Sequence, residues 1–388
     1  MDQPGTTRAL TTLSPILPER LRELTGRLRV VRYTPGMGRP LIQLAFIHYA
    51  RWIIFDWLPP ARGTGGWHGL RWKYLLFESN YDGSQDDYLR AFADVLPARL
   101  AKLWGACFGF EMQTRAAPSD VGGILAAGGF LAFVEQNQLG VLAFYAAYPD
   151  STATDVRQAI ALNELASDTE RAAGDEPRQQ LGSIATTALG PVPPRVTAKQ
   201  RFRAILDPWA SALRGQYGVN PISIVTPLGE GQEKRLRTAC EHSSVLKGLA
   251  DTETHFARLV VIPRRLTDLG QPNPDVLETS YLLFTSDAWG TAYEQIEAIR
   301  TALGDTADLM WGGCDGYPGH EDVHRARFHA WVDSHTLSTS YYVAGYPPYP
   351  ATAIQLRLRD RERVGRTYAE QVHPQLTQLL ADAELGRD

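Results

Sequence analysis

"HYARWIIF", residues 48–55, returns as "HFARLVVI" at residues 255–262. The offset is 255 − 48 = 207, and it also carries "YLLFES" at 74 onto "YLLFTS" at 281 and "WGACFGF" at 104 onto "WGGCDGY" at 311. Three blocks in one register, with no gap between them, identify a tandem duplication. After a nine-residue contraction, "FLAFVEQNQLGVLAFYAAYP" at 130 aligns with "FHAWVDSHTLSTSYYVAGYP" at 328, an offset of 198. The copies span about 41–165 and 251–365. Around them lie a helical lead over 1–40, a linker and helical connector over 166–250, and a C-terminal helix over 366–388.

Local signals give each copy its elements. "HYARWIIF" and "KYLLFES" are short, β-branched and aromatic, and read as strands. "GSQDDYLRAFADVLPARLAKLW" reads as a helix, capped by Ser84 with Asp87 three residues on, as Thr291 and Glu294 cap the second copy's helix. "WGACFGF" reads as a Gly-rich strand, "FLAFVEQNQ" as a helix end and "GVLAFYAAYP" as a strand. Strands and helices in units this small predict α+β layers, each a sheet with helices on one face. The two sheets would then meet face to face or edge to edge.

Composition narrows the function classes. At 388 residues with 44% hydrophobic and 21% charged residues, the chain has material for a large core. A net charge of −4 excludes a strongly basic surface for nucleic acid. Three cysteines cannot form a disulfide framework, and the N-terminus lacks the basic-then-apolar pattern of a secretory leader, so a cytoplasmic protein is expected. "LIQLAFIHYARWIIFDWLP" is apolar, but His48, Arg51 and Asp56 interrupt it, which argues against a membrane span.

The two α+β halves resemble the tandem ferredoxin-like, dimeric α+β barrel layout of the dye-decolourising peroxidases and chlorite dismutases. The resemblance covers both copies and is one of architecture; of the peroxidases' Gly-x-x-Asp-Gly signature only the Asp-Gly of "SNYDG" at 79–83 is present. It implies two ferredoxin-like repeats about a pseudo-twofold axis, and a heme-dependent, peroxidase-like oxidoreductase acting on a small organic molecule. The same architecture serves cofactor-free monooxygenases and cyclases. Such an enzyme, or a non-enzymatic binding protein, is therefore the alternative. The oligomeric state stays open.

Candidate residues follow from the duplication. His48 and His255 each begin a strand, with Arg51 and Arg258 three residues later. Strict alternation puts His48, Ala50 and Trp52 on one face and Tyr49, Arg51 and Ile53 on the other. The bland role for the arginine is an ion pair with a residue such as Glu78. In the functional role, an irregularity at Ala257 turns Arg258 inward to stabilise negative charge. A single active site uses one copy, and polar residues accumulate in the second: His335 against Asn137, His329 against Leu131, Asp315 against Phe108, Tyr341 against Ala143. His255, Arg258 and Tyr341 are thus the candidate catalytic residues. The resemblance adds His335 as the heme-iron ligand with Trp331 beside it; a general base is the other functional role for His335, and a helix-dipole role is its plain reading. "HEDVH" at 320–324 has zincin spacing, with Glu321 as its general base. It lacks a third ligand on the same face, so no zinc is expected. Cys107 and Cys314 read as small buried hydrophobes.

Overall fold

The computed structural model describes residues 6–33, 46–61, 68–110, 127–160, 163, 218–266, 268–269 and 271–371. The chain divides into two compact units, Met1–Ala153 with Arg195–Ala351 and Thr154–Pro194 with Thr352–Asp388. Both sheets belong to the first. Of the expected linker and helical connector over 166–250, residues 166–217 lie outside the described residues, as does the part of the expected C-terminal helix beyond residue 371.

The architecture is α+β with two four-stranded antiparallel sheets. The lead and first copy supply β1 (Thr7–Pro15), α1 (Leu21–Tyr33), β2 (Ile47–Leu58), β3 (His68–Asp82), α2 (Gln85–Val95), α3 (Pro97–Trp104), α4 (Ala127–Asn137) and β4 (Val141–Ala146). The connector and second copy supply β5 (Val219–Pro227), α5 (Gln232–His242), β6 (Thr254–Ile262), β7 (Tyr281–Trp289), α6 (Ala292–Leu303), α7 (Asp305–Trp311), α8 (Arg325–Ser334) and β8 (Tyr341–Ala344). Helix α9 (Ala351–Gln371) follows. The lead and connector, expected as helical, therefore each contain a strand as well. "LTTLSP" and "ISIVTP" are buried on both faces, so they lack the alternation that marks a half-exposed strand.

Sheet order is β1-β3-β2-β8 in one sheet and β4-β6-β7-β5 in the other. Each copy's last strand has crossed to its neighbour: Tyr49–Trp52 pair with Tyr341–Ala344, and Val141–Ala146 pair with β6. Just before crossing, each touches its own first strand. Leu139 N–H donates to the Thr11 carbonyl at 2.9 Å, and Leu337 N–H donates to the Ser223 carbonyl at 2.8 Å. Hydrogen bonds thus tie both seams between the sheets.

Three apolar clusters show the layering. One joins the first sheet to α1–α4 through Trp52, Phe77, Phe92 and Trp104. A second joins the other sheet to α5–α8 through Phe284, Trp311 and Phe328. The third draws Ile53, Phe55 and Leu76 together with Val225, Val260 and Leu283, so the sheets meet face to face.

Several local expectations need correction. The long helix of the first copy breaks at Pro97, which takes the first position of α3, where its missing N–H costs nothing. In the second copy Gly304, at φ +51°, makes the same break. "WGACFGF" and "WGGCDGY" are helix ends and turns, not strands. A Cβ at Gly105 would lie 2.1 Å from the Ala101 carbonyl oxygen, and one at Gly312 lies 2.4 Å from that of Asp308, so glycine lets each helix end tightly. "HEDVH" forms no α-helix: residues 322–324 are a 3-10 turn, and α8 begins only at Arg325. The capping expectations hold. Asp87 N–H donates to Ser84 Oγ at 3.1 Å, and Thr291 with Glu294 forms a reciprocal capping box.

Candidate functional site

A bulge decides which side chains of β2 and β6 face the interior. The register slips between Ile47 and Tyr49, and between Thr254 and Phe256, leaving His48 and His255 as the extra residues. Alternation resumes beyond each bulge. His48 and His255 consequently share the inner face with Arg51 and Arg258, which strict alternation forbade. The irregularity lies at His255, not at Ala257.

A cross-linked charge cluster lies between the sheets. Arg51 reaches from β2 to the opposite sheet. It donates to the Ile222 carbonyl at 2.8 Å, Ser223 Oγ at 3.0 Å, the Ser286 carbonyl at 3.0 Å and Asp287 Oδ1 at 2.5 Å. Arg258 makes the mirror-image set: the Leu10 carbonyl at 2.7 Å, Thr11 Oγ1 and the Ser79 carbonyl each at 3.1 Å, and Asn80 Oδ1. Asn80 Nδ2 closes the cluster on Asp287 Oδ2 at 2.9 Å. Glu78 stands 3.4 Å from Arg51 Nε and accepts from Thr285 Oγ1 at 3.2 Å. All of these side chains are buried.

Asp287 occupies the position of Asn80 one repeat earlier, and that single difference sets the electrostatics. Burial opposes the Arg51 charge, but Asp287 and Glu78 hold its pKa above the ordinary value. At Arg258 burial prevails, Glu78 only partly offsets it and Arg51 adds repulsion, so the pKa falls. The expected arginine–glutamate pair therefore lies in the core.

Beside the cluster runs a chain of buried rings. Asp82 Oδ1 lies 2.9 Å from His48 Nε2, His48 Nδ1 is 3.1 Å from the Tyr346 hydroxyl, that hydroxyl is 2.6 Å from the Tyr148 hydroxyl, and Tyr148 is 2.9 Å from His255 Nδ1. Each tyrosine hydroxyl both donates and accepts, and the direction of each imidazole link is set by the ring's tautomer. Burial pushes the His255 pKa down to about 3; the Tyr349 carbonyl opposes this and His48 adds to it. Burial raises both tyrosines well above their ordinary value. The chain therefore holds His255 and both tyrosines uncharged around neutrality. It locks the exchanged strands to the sheets.

Solvent-connected space lies on the helix side of the first sheet. A cavity of about 550 Å³ is bounded by α1, α2, α3 and the sheet, with Leu28, Phe92, Leu100, Trp104, Trp52 and Tyr341 among its walls. Trp52 is fully buried, 5.3 Å ring to ring from Tyr341, and its indole N–H has no hydrogen-bond partner. At the rim Arg27 donates to the Lys102 carbonyl at 2.6 Å and pairs with Glu23.

The sequence-predicted residues do not converge. His255 and Arg258 lie between the sheets. Tyr341 reaches the cavity of the first copy, because β8 crosses over. His335 caps the end of α8, with Nδ1 2.8 Å from the Trp331 carbonyl and its ring 4.5 Å from that of Trp331, and it lines neither this cavity nor the cleft described below. Burial lowers its pKa, with the Trp331 carbonyl opposing. Among the described lining residues of the cavity there is no His, Cys or Met. His329 pairs with Glu297 at 3.1 Å and stacks on Tyr293. His320 turns to Asp308 at 2.9 Å, away from the zincin arrangement; with Asp305 these groups lie within 4.8 Å of one another, on the surface. Cys107 and Cys314 are buried free thiols, and burial pushes Cys314 up to about 12.

Sequence reasoning missed Tyr148 and Asp287 as site residues and read Trp52 only as sharing a strand face with His48. The repeated "YP" at 148–149 and 346–347 was an available signal for Tyr148. Comparison with protein-family models and with curated proteins finds no match. Among the described residues no helix is long and apolar enough to cross a membrane.

Proposed function

We propose that the chain is a tandem ferredoxin-like protein of the dimeric α+β barrel type that takes up a small, largely apolar organic molecule in the first copy's helix-side cavity. The observation that carries this is the cavity itself. Its volume falls within the range of small-molecule sites, roughly 300–1,000 Å³, its walls are mainly apolar, and one buried donor, Trp52 Nε1–H, awaits an acceptor. An apolar body with one acceptor satisfies both features. The exchanged strands and the 207-residue equivalence of β2 with β6 support the paired-repeat reading.

Cofactor-free chemistry is the second reading, favoured by the hydroxyl-bearing Tyr341 at the cavity wall. The heme-dependent reading draws no support from the surroundings of His335. The test is quenching of tryptophan fluorescence on titration with 1-naphthol and with naphthalene. Saturable quenching by 1-naphthol, weakened in Trp52→Phe and abolished when Leu100→Trp fills the cavity, is the expected result. Quenching that Leu100→Trp leaves intact places the ligand elsewhere and defeats the proposal.

A further inference from the structure

A second cleft lies in the second copy, at a place where the first copy packs two tyrosines. In the first copy Tyr81 at the end of β3 and Tyr88 in α2 stack at 4.0 Å and fill the space between strand end and helix. One repeat later the same two positions are Ala288 and Gln295. Two aromatic rings are replaced by a methyl group and an amide, and a cleft of about 640 Å³ lies there, with both residues in its wall.

Its chemistry is one-sided. Asp251, Glu253 and Glu294 contribute three carboxylates, and no Lys, Arg or His is among the described lining residues. Trp289, half-buried, supplies an aromatic wall at the position held by Asp82 in the first copy. Gln295 is 2% exposed. Its amide N–H donates to the Ala288 carbonyl at 2.7 Å, while its carbonyl oxygen is buried with no hydrogen-bond partner. A buried acceptor without a donor is costly unless something supplies one.

We infer that this cleft binds an organic cation, a primary ammonium or guanidinium group on a small organic body, whose N–H donates to Gln295 Oε1 while Trp289 and the carboxylates hold the charge. Acceptors, negative charge and an aromatic face together are the recognition elements for such cations. The space is many times the roughly 30 Å³ of one water molecule, so a bare metal ion would leave most of it unused. This site is independent of the naphthol-sized cavity in the first copy.

The experiment compares benzylamine with benzyl alcohol, near-isosteres differing in charge at neutral pH, by calorimetry on the full chain. Saturable binding of benzylamine and binding at least about tenfold weaker for the alcohol are expected, since a hydrogen bond to a charged group contributes about 1.5–3 kcal/mol. Ala288→Tyr with Gln295→Tyr, which rebuilds the first copy's stacked pair, should abolish binding while leaving the circular dichroism spectrum unchanged. Asp251→Asn, at an exposed position, should weaken binding severalfold whether or not the double variant folds. Equal affinity for the two ligands, no saturable binding of the amine, or Asp251→Asn binding as tightly as the parent would each overturn the inference.

Discussion

Exchanging the two residues that break the symmetry of the core cluster isolates what Asp287 does. Asp287→Asn removes the carboxylate that receives Arg51 at 2.5 Å and leaves two buried guanidinium groups facing only Glu78. Breaking a buried pair by removing one partner costs about 3–5 kcal/mol, because the remaining charge is uncompensated. Asn80→Asp alone adds a third carboxylate to a balanced core and should also destabilise. Combined, the two changes move the carboxylate from the partner of Arg51 to the partner of Arg258, which already reaches Asn80 Oδ1 and the Ser79 carbonyl in the mirror-image geometry. The double variant should therefore recover all but about 1–2 kcal/mol, a coupling at the upper end of values for residues in one network. Urea unfolding of the four proteins at pH 7 gives the cycle. If Asp287→Asn costs less than about 1 kcal/mol, or the two losses simply add, the cluster is not charge-balanced in the way described.

Three further outcomes follow from the same groups. His255 has its folded pKa depressed to about 3 from 6.5, so it contributes stability that is fully present above pH 6.5 and lost as pH falls toward 3; His255→Gln should flatten stability against pH in that window by up to about 1.4 kcal/mol per pH unit, and an unchanged slope would count against a buried neutral imidazole. Glu297 is held down to about 2 from 4.5, first by its hydrogen bond to Arg300 against a burial penalty, then by His329 and Arg325. Its contribution is present above pH 4.5 and lost as pH falls toward 2, so Glu297→Gln should remove acid sensitivity there, and a slope like that of the parent would refute the assignment. His335→Ala should leave the absorption spectrum of hemin added to the protein unaltered while costing about 1 kcal/mol through loss of a helix-terminal interaction; a His335-dependent shift of the heme band would restore the ligand reading.

The internal repeat was legible from residue order alone, because a duplication leaves its offset in the sequence whatever the fold. So were the caps at Ser84 and Thr291, whose bonds span only three residues, and the strands "HYARWIIF" and "HFARLVVI", whose β-branched and aromatic runs fix local geometry. The first strands of each copy were obscured, since burial on both faces erases alternation. Facing of His48 and His255 could not be read either: one extra residue in a bulge inverts a strand's pattern, and a bulge is set by pairing with β3 and β7, not by its own sequence. The exchange of β4 and β8 lay further still from view. Which sheet accepts an edge strand depends on pairing between residues far apart in sequence, about 110–120 positions for β4 with β6 and about 290 for β8 with β2. That exchange carries Tyr341 into the first copy's cavity, and replacement of two stacked tyrosines by alanine and glutamine becomes a cleft only because β7 and α6 are packed together in space.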